Sequence, residues 1–116
     1  MGRSERSASR QEAAELMKYR LSIREDAEKD MAAAFDFYET EQAGLGVRFH
    51  NELAETLRRI EEKPYLYPVT ELPDYRKAVM NVFPFSVYYT VAQNKIAIVA
   101  VHDSRQGFPW HRGRVK

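Results

Sequence analysis

Over residues 18–102 the repeat of apolar side chains changes period twice, and the order of those periods constrains the fold most. Residues 18–23 alternate, with Tyr19, Leu21 and Ile23 on one side and Lys18, Arg20 and Ser22 on the other. Period two over a short run predicts a strand with one buried face. From residue 25 the spacing lengthens to three and four, with Ala27, Met31, Ala34, Phe35 and Tyr38 on one stripe. That predicts an amphipathic helix over about 25–42, with Glu25 and Asp26 suited to the positive end of its dipole. Ala43-Gly44-Leu45-Gly46 offers two residues tolerant of positive φ, so the helix stops and the chain turns. A second helix is predicted over about 46–63, carrying Leu45, Phe49, Leu53, Leu57 and Ile60 on one stripe. Pro64, Pro68 and Pro73 exclude a regular element from the next stretch.

The period then returns to two. Residues 75–83, 85–92 and 95–102 read as three strands, the last two joined by Gln93-Asn94 in a two-residue hairpin with Asn94 suited to the left-handed region. Pro84 sets the first of those turns apart from an ordinary ladder position. The expected fold class is α+β: an N-terminal strand, a helical hairpin and a three-stranded antiparallel meander, with both helices on one face of the sheet and the other face left free. At 116 residues there is room for one such domain and none for a second. Residues 1–16 contain almost no large apolar side chain. They read as a disordered leader, an expression remnant or a misplaced start in front of a single domain at 17–116.

Composition removes whole classes of chemistry. Without cysteine there is no disulfide framework, thiolate zinc site, iron–sulfur site or thiol nucleophile. The same absence fits a reducing cytosol, so a cytoplasmic location is expected. No glycine-rich phosphate loop, paired-histidine metal motif or calcium loop occurs, and His50, His102 and His111 have no helical pairing. Neither a metal nor a cofactor is expected. No apolar run has the length of a membrane span, so no membrane partner is expected. The net charge of +1 conceals a division: residues 24–63 sum to −5 and residues 64–116 to +4. Two opposite potentials on one small domain can steer different partners to different faces.

Groups with chemical potential gather in the cationic half. Arg76 opens one strand and His102-Asp103-Ser104-Arg105 closes the last. If strand pairing brings those ends together, Arg76, Arg105 and His102 form one neighbourhood. Arginine presents paired N–H donors to phosphate, and histidine moves a proton near neutrality. Either Tyr88 or Tyr89 must face the free side of the sheet, where a ring can stack on a base. Arg112 adds charge to the tail, and Trp110 reads as a residue that packs the tail onto the sheet or contacts a partner. Each also has a plainer reading. His50 is a surface or half-buried helix residue, His102 finishes a strand, and the arginines pair with acidic helices.

Taken in order, A27-E-K-D-M31, GLGVRFHNEL at 44–53, KPYLYP at 63–68, Arg76, FPFSVYY at 83–89, IAIVAVHDSR at 96–105 and PWHRGR at 109–114 give the chain its resemblance. Over residues 18–114 it resembles the RelE/ParE superfamily of toxins from type II toxin–antitoxin systems. The resemblance implies a growth inhibitor neutralised by a cognate antitoxin, which lays an extended or helical segment over the toxin in a hetero-oligomer. RelE-like members cut mRNA on the ribosome, whereas ParE-like members poison DNA gyrase. RelE-type nucleases carry a basic residue before the central tyrosine strand; here that stretch reads Phe83-Pro84-Phe85-Ser86. Their lysine-rich loop is also missing, with Lys63 the single lysine of residues 63–75. Losing cationic groups removes the charge stabilisation that phosphoryl transfer requires.

The ParE-like branch is therefore expected, with gyrase as target and Arg76, Tyr88, Arg105, Trp110 and Arg112 as binding residues. The alternative is a ribosome-dependent mRNA endonuclease with His102 as base and Arg76 and Arg105 on phosphate. A second alternative is a non-toxic interaction module of the same fold.

Overall fold

In the computed structural model, which describes residues 18–106, the first alternating run forms strand β1 (Arg20–Ile23). Helix α1 (Glu25–Glu41) follows after one residue. No side chain caps its start, and Glu25, Asp26 and Glu28 in the first turn meet the orphaned N–H groups with negative charge instead. Helix α2 (Leu45–Glu62) buries Phe49, Leu53, Thr56 and Ile60 along one stripe. Thr56 breaks that apolar pattern, and its buried hydroxyl is satisfied by donating to the Glu52 carbonyl at 3.0 Å.

The two glycines of the helix–helix turn do different work. Gly44 has φ +90°, with nothing within 4 Å of where a Cβ would stand. Gly46 is helical, and a Cβ there would come within 2.7 Å of the Phe35 carbonyl oxygen and 2.8 Å of Glu39 Oε1. The Glu39 carboxylate accepts from both glycine N–H groups, at 2.8 and 2.9 Å. One glycine therefore sets the turn and the other the distance between helices.

Strands β2 (Arg76–Val79), β3 (Phe85–Ala92) and β4 (Lys95–Asp103) make the expected antiparallel meander. β2 is shorter than the run of β-formers predicts, since the chain leaves the ladder to turn through Asn81–Pro84, closed by Met80 N–H on the Phe85 carbonyl at 2.9 Å. In the β3–β4 hairpin Gln93, at φ 57°, takes the left-handed position expected for Asn94. Asn94 instead offers its carbonyl to Arg20 N–H at 2.7 Å, tying the hairpin tip to β1.

The sheet order is β1-β4-β3-β2, with β1 parallel to β4. Chain-distant strands thus become neighbours, and the last strand lies inside the sheet. One face packs on the helices: Phe49, Leu53 and Ile60 meet Ala78, Val87, Tyr89, Ile96, Ile98 and Val101. Each large side chain withdrawn from water there contributes roughly 1.5–3 kcal/mol. A register shift between Tyr88 and Tyr89 lets Ala100 follow Val99 on the other face, where both pack with Tyr88 and Tyr75.

Candidate functional site

Strand β1 stops opposite Ile98, but β4 continues to Asp103. Beyond that point helix α1 runs alongside β4 and leaves a groove of about 390 Å³. Its helical wall is Asp30, Ala33, Ala34, Phe37 and Tyr38, and its other wall is Val101, His102 and Asp103. Phe85, Arg105 and Gln106 complete it. A 3₁₀ turn (Ser104–Gln106) closes the end and is held by a 3.0 Å hydrogen bond from Ser86 Oγ to Ser104 Oγ. Ala33 and Phe37 are exposed in the helical wall, Phe37 to 58%.

The charged groups of this groove hold one another. Arg105 donates from Nε to Asp103 Oδ1 at 2.9 Å and from Nη2 to Asp103 Oδ2 at 2.6 Å, a two-pronged pair. Its backbone N–H adds a third bond to Asp103 Oδ1 at 2.9 Å. These donors bring the Asp103 carboxyl down to about 2. Burial raises the nearby Tyr38 phenol, and the Asp103 charge adds to that. Asp30 Oδ2 accepts from the Val101 N–H at 3.0 Å, so a helix side chain serves the part of β4 that β1 does not reach.

Arg76 is elsewhere. Because β3 lies between β2 and β4, those two strands run the same way, and the start of one is far from the end of the other. Arg76 pairs with Tyr89 and His102 with Ser86, a separation of about 10 Å along the strands and about 10 Å across them. The expected neighbourhood of Arg76, His102 and Arg105 therefore does not form. The Arg76 guanidinium instead donates to the Tyr65 and Tyr67 carbonyls and lies 5.1 Å from the Tyr65 ring centroid. Tyr89 donates to the Pro64 carbonyl at 2.6 Å, anchoring the same loop, and burial pushes its phenol up.

Tyr88 does point away from the helices, as one of the tyrosine pair must, but it is 1% exposed and offers no open stacking platform. Lys77 Nζ lies 5.9 Å from its ring centroid. His50 is exposed on α2 with its ring 4.6 Å from Phe35. Trp110 and Arg112, and the proposed leader at 1–16, lie outside the described residues. Among the described residues no group of three metal-ligating side chains converges, and no helix is long and apolar enough to cross a membrane.

Residues 21–108 match the family model described as the ParE toxin of the type II toxin–antitoxin system, parDE. The chain belongs to the ParE toxin family. Its α+β fold is also that of solved toxins. The chromosomal ParDE toxin–antitoxin system from P. aeruginosa contains a chain that superimposes with a TM-score of 0.68 at 18% identity, over 75% of this chain and 97% of that one. The isolated E. coli RelE toxin superimposes with a TM-score of 0.58 at 17% identity, over 82% of this chain and 94% of that one. No curated protein matches at the level of sequence. Membership of the ParE family implies a cognate antitoxin as partner.

The sequence reading did not find the groove. Asp30, Ala33 and Phe37 do lie at helical spacing, but the reading assigned the apolar stripe of α1 to the core. Among the described residues, it is the stopping point of β1 that leaves their side of α1 beside a strand with no neighbour.

Proposed function

We propose that this ParE-family chain arrests growth in the cytoplasm by binding DNA gyrase, and that it acts as a binding protein without nuclease chemistry. The observation that carries this reading is the commitment of its arginines. Arg76 is spent on loop carbonyls and Arg105 on Asp103, far apart in the sheet. Cleaving an RNA phosphodiester needs cations aimed at the charge developing on phosphate, close to a proton-transfer group. Here the phosphate clamp would have to be assembled by breaking both sets of contacts. A ribosome-dependent nuclease is the second reading, favoured by the adjacency of His102, Asp103 and Arg105 at one strand end.

Purified protein added to a gyrase supercoiling reaction and, separately, to programmed ribosomes distinguishes the two. Inhibited supercoiling with intact mRNA is expected. Codon-positioned cleavage on ribosomes would sink the gyrase reading. His102→Ala should leave growth arrest within a few fold, whereas removal of a general base would cost about 10²–10⁴-fold in rate. Normal growth on induction without antitoxin would point to a non-toxic module.

A further inference from the structure

Tyr88, Val99 and Ala100 lie on the sheet face away from the helices, yet they are 1%, 3% and 0% exposed. A side chain standing on an uncovered sheet face keeps its outer surface in water. Among the described residues, no helix side chain joins this cluster. Tyr75, just before β2, packs beside it, and Lys77 pairs with Tyr88 across the ladder. Both are neighbours within the sheet and leave the top of the cluster to something else. The groove beside α1 is different, for its Phe37 is 58% exposed.

Sequence and reach select the cover. β4 ends at Asp103, three residues past Ala100, which is about 10 Å at the rise of a strand. The 3₁₀ turn that follows is tied to this same face: Ser104 Oγ accepts from Ser86 Oγ, and Ser86, two residues before Tyr88 on β3, shares its side. Phe108 and Trp110 follow Gln106 by two and four residues, so they reach up to about 7 and 14 Å from it. Residues 1–17 contain no aromatic side chain. We infer that residues 107–116 fold back over the outer face of the sheet, with Phe108 and Trp110 seated on Tyr88, Val99 and Ala100. A tyrosine ring is a partner that such rings favour beyond the area they bury. The cover also gathers charge. Residues 107–116 hold Arg112, Arg114 and Lys116 and no carboxylate. By strand parity the outer face carries Arg20, Lys77 and Lys95, again with no carboxylate among its described strand residues. The tail therefore makes this side of the molecule cationic, opposite the acidic α1.

Trp110 is the single tryptophan and the chain has no cysteine, so a fluorescence probe and an introduced thiol each report on one place. In the full chain, Trp110 emission should lie to the blue of the unfolded chain and resist quenching by acrylamide. Nuclear Overhauser contacts from its indole to the Tyr88 ring and the Val99 methyls are expected as well. Emission like that of the unfolded chain, or the absence of those contacts, would overturn the inference without any substitution. Thiol reactivity then locates the cover. Ala100→Cys should react with a soluble thiol reagent about tenfold faster or more once Phe108→Ser and Trp110→Ser are added, with circular dichroism confirming the fold. Ala33→Cys, in the groove, should react at the same rate with and without those two changes. Protection of Ala33→Cys by the two rings in place of Ala100→Cys would seat the tail in the groove and overturn the inference. Loss of Ala100→Cys protection on removing residues 1–16, with both rings intact, would assign the cover to the leader, with the same result.

Discussion

Gly46 illustrates how a single position can answer to its neighbours more than to its own conformation. Alanine in a helix interior is ordinarily favoured over glycine by about 0.5–1 kcal/mol. Here the added methyl would meet the Phe35 carbonyl oxygen at 2.7 Å, which is backbone and cannot swing away. Gly46→Ala should therefore lower stability by about 1–3 kcal/mol, the usual range for overpacking, in a denaturant titration. A gain in stability would mean the helices separate easily. Gly44→Ala should cost about 1–2 kcal/mol for a different reason, its φ of +90° in open space. At Asp103 the folded carboxyl sits near 2 against an ordinary 3.8, held there by Arg105 donors. A depressed carboxylate contributes stability that is complete above its unfolded value and is lost as pH falls through the folded one. Stability should then decline between about pH 4 and pH 2, and Asp103→Asn should flatten that limb of the unfolding profile.

At the scale of elements, the proline-punctuated segment after α2 is fastened to the sheet by two side chains from neighbouring strands. Arg76 on β2 holds the Tyr65 and Tyr67 carbonyls, and Tyr89 on β3 holds the Pro64 carbonyl. Hydrogen bonds made by a charged donor are worth about 1.5–3 kcal/mol each. Arg76→Met should thus reduce the unfolding free energy by about 1.5–3 kcal/mol or more, while the folded variant inhibits supercoiling as well as the original protein. A variant that keeps its stability and loses inhibition would return Arg76 to the functional surface. The sequence gives good reason to single out Arg76, since a cation opening a strand is unusual. It gives no sign that β3 will lie between β2 and β4, and that placement is what parts Arg76 from His102.

For the whole molecule, the parallel pairing of β1 with β4 is the decisive contact. It covers Ile96 and Ile98 at one side with a segment from the other end of the domain. Removing residues through Ile23 should expose that edge and produce aggregation or loss of cooperative unfolding, seen by light scattering and calorimetry. Retention of a sharp, monomeric transition would show that β1 is dispensable. Native amide exchange should be slowest in the middle of β3 and β4, where Val87, Tyr89, Ile96 and Ile98 are fully buried between neighbours on both sides.

The sequence by itself determined the elements, because the period of apolar residues is a local property that each segment carries alone. It determined the α2 stripe from Leu45 to Ile60, the helical turn at Gly44, the meander and the division of charge. Its family resemblance reached the ParE toxins as well. Only the tertiary structure decided which strand β1 joins, and with that where the pairing of β1 with β4 ends. It also decided that Tyr88 is buried, that Gln93 and not Asn94 takes the left-handed turn position, and that Arg76 and Arg105 have partners. Pairing between distant segments depends on the summed fit of surfaces, which no short stretch of residues contains. A charge seen in sequence can be free or already neutralised, and the fold chooses between them by what it places alongside.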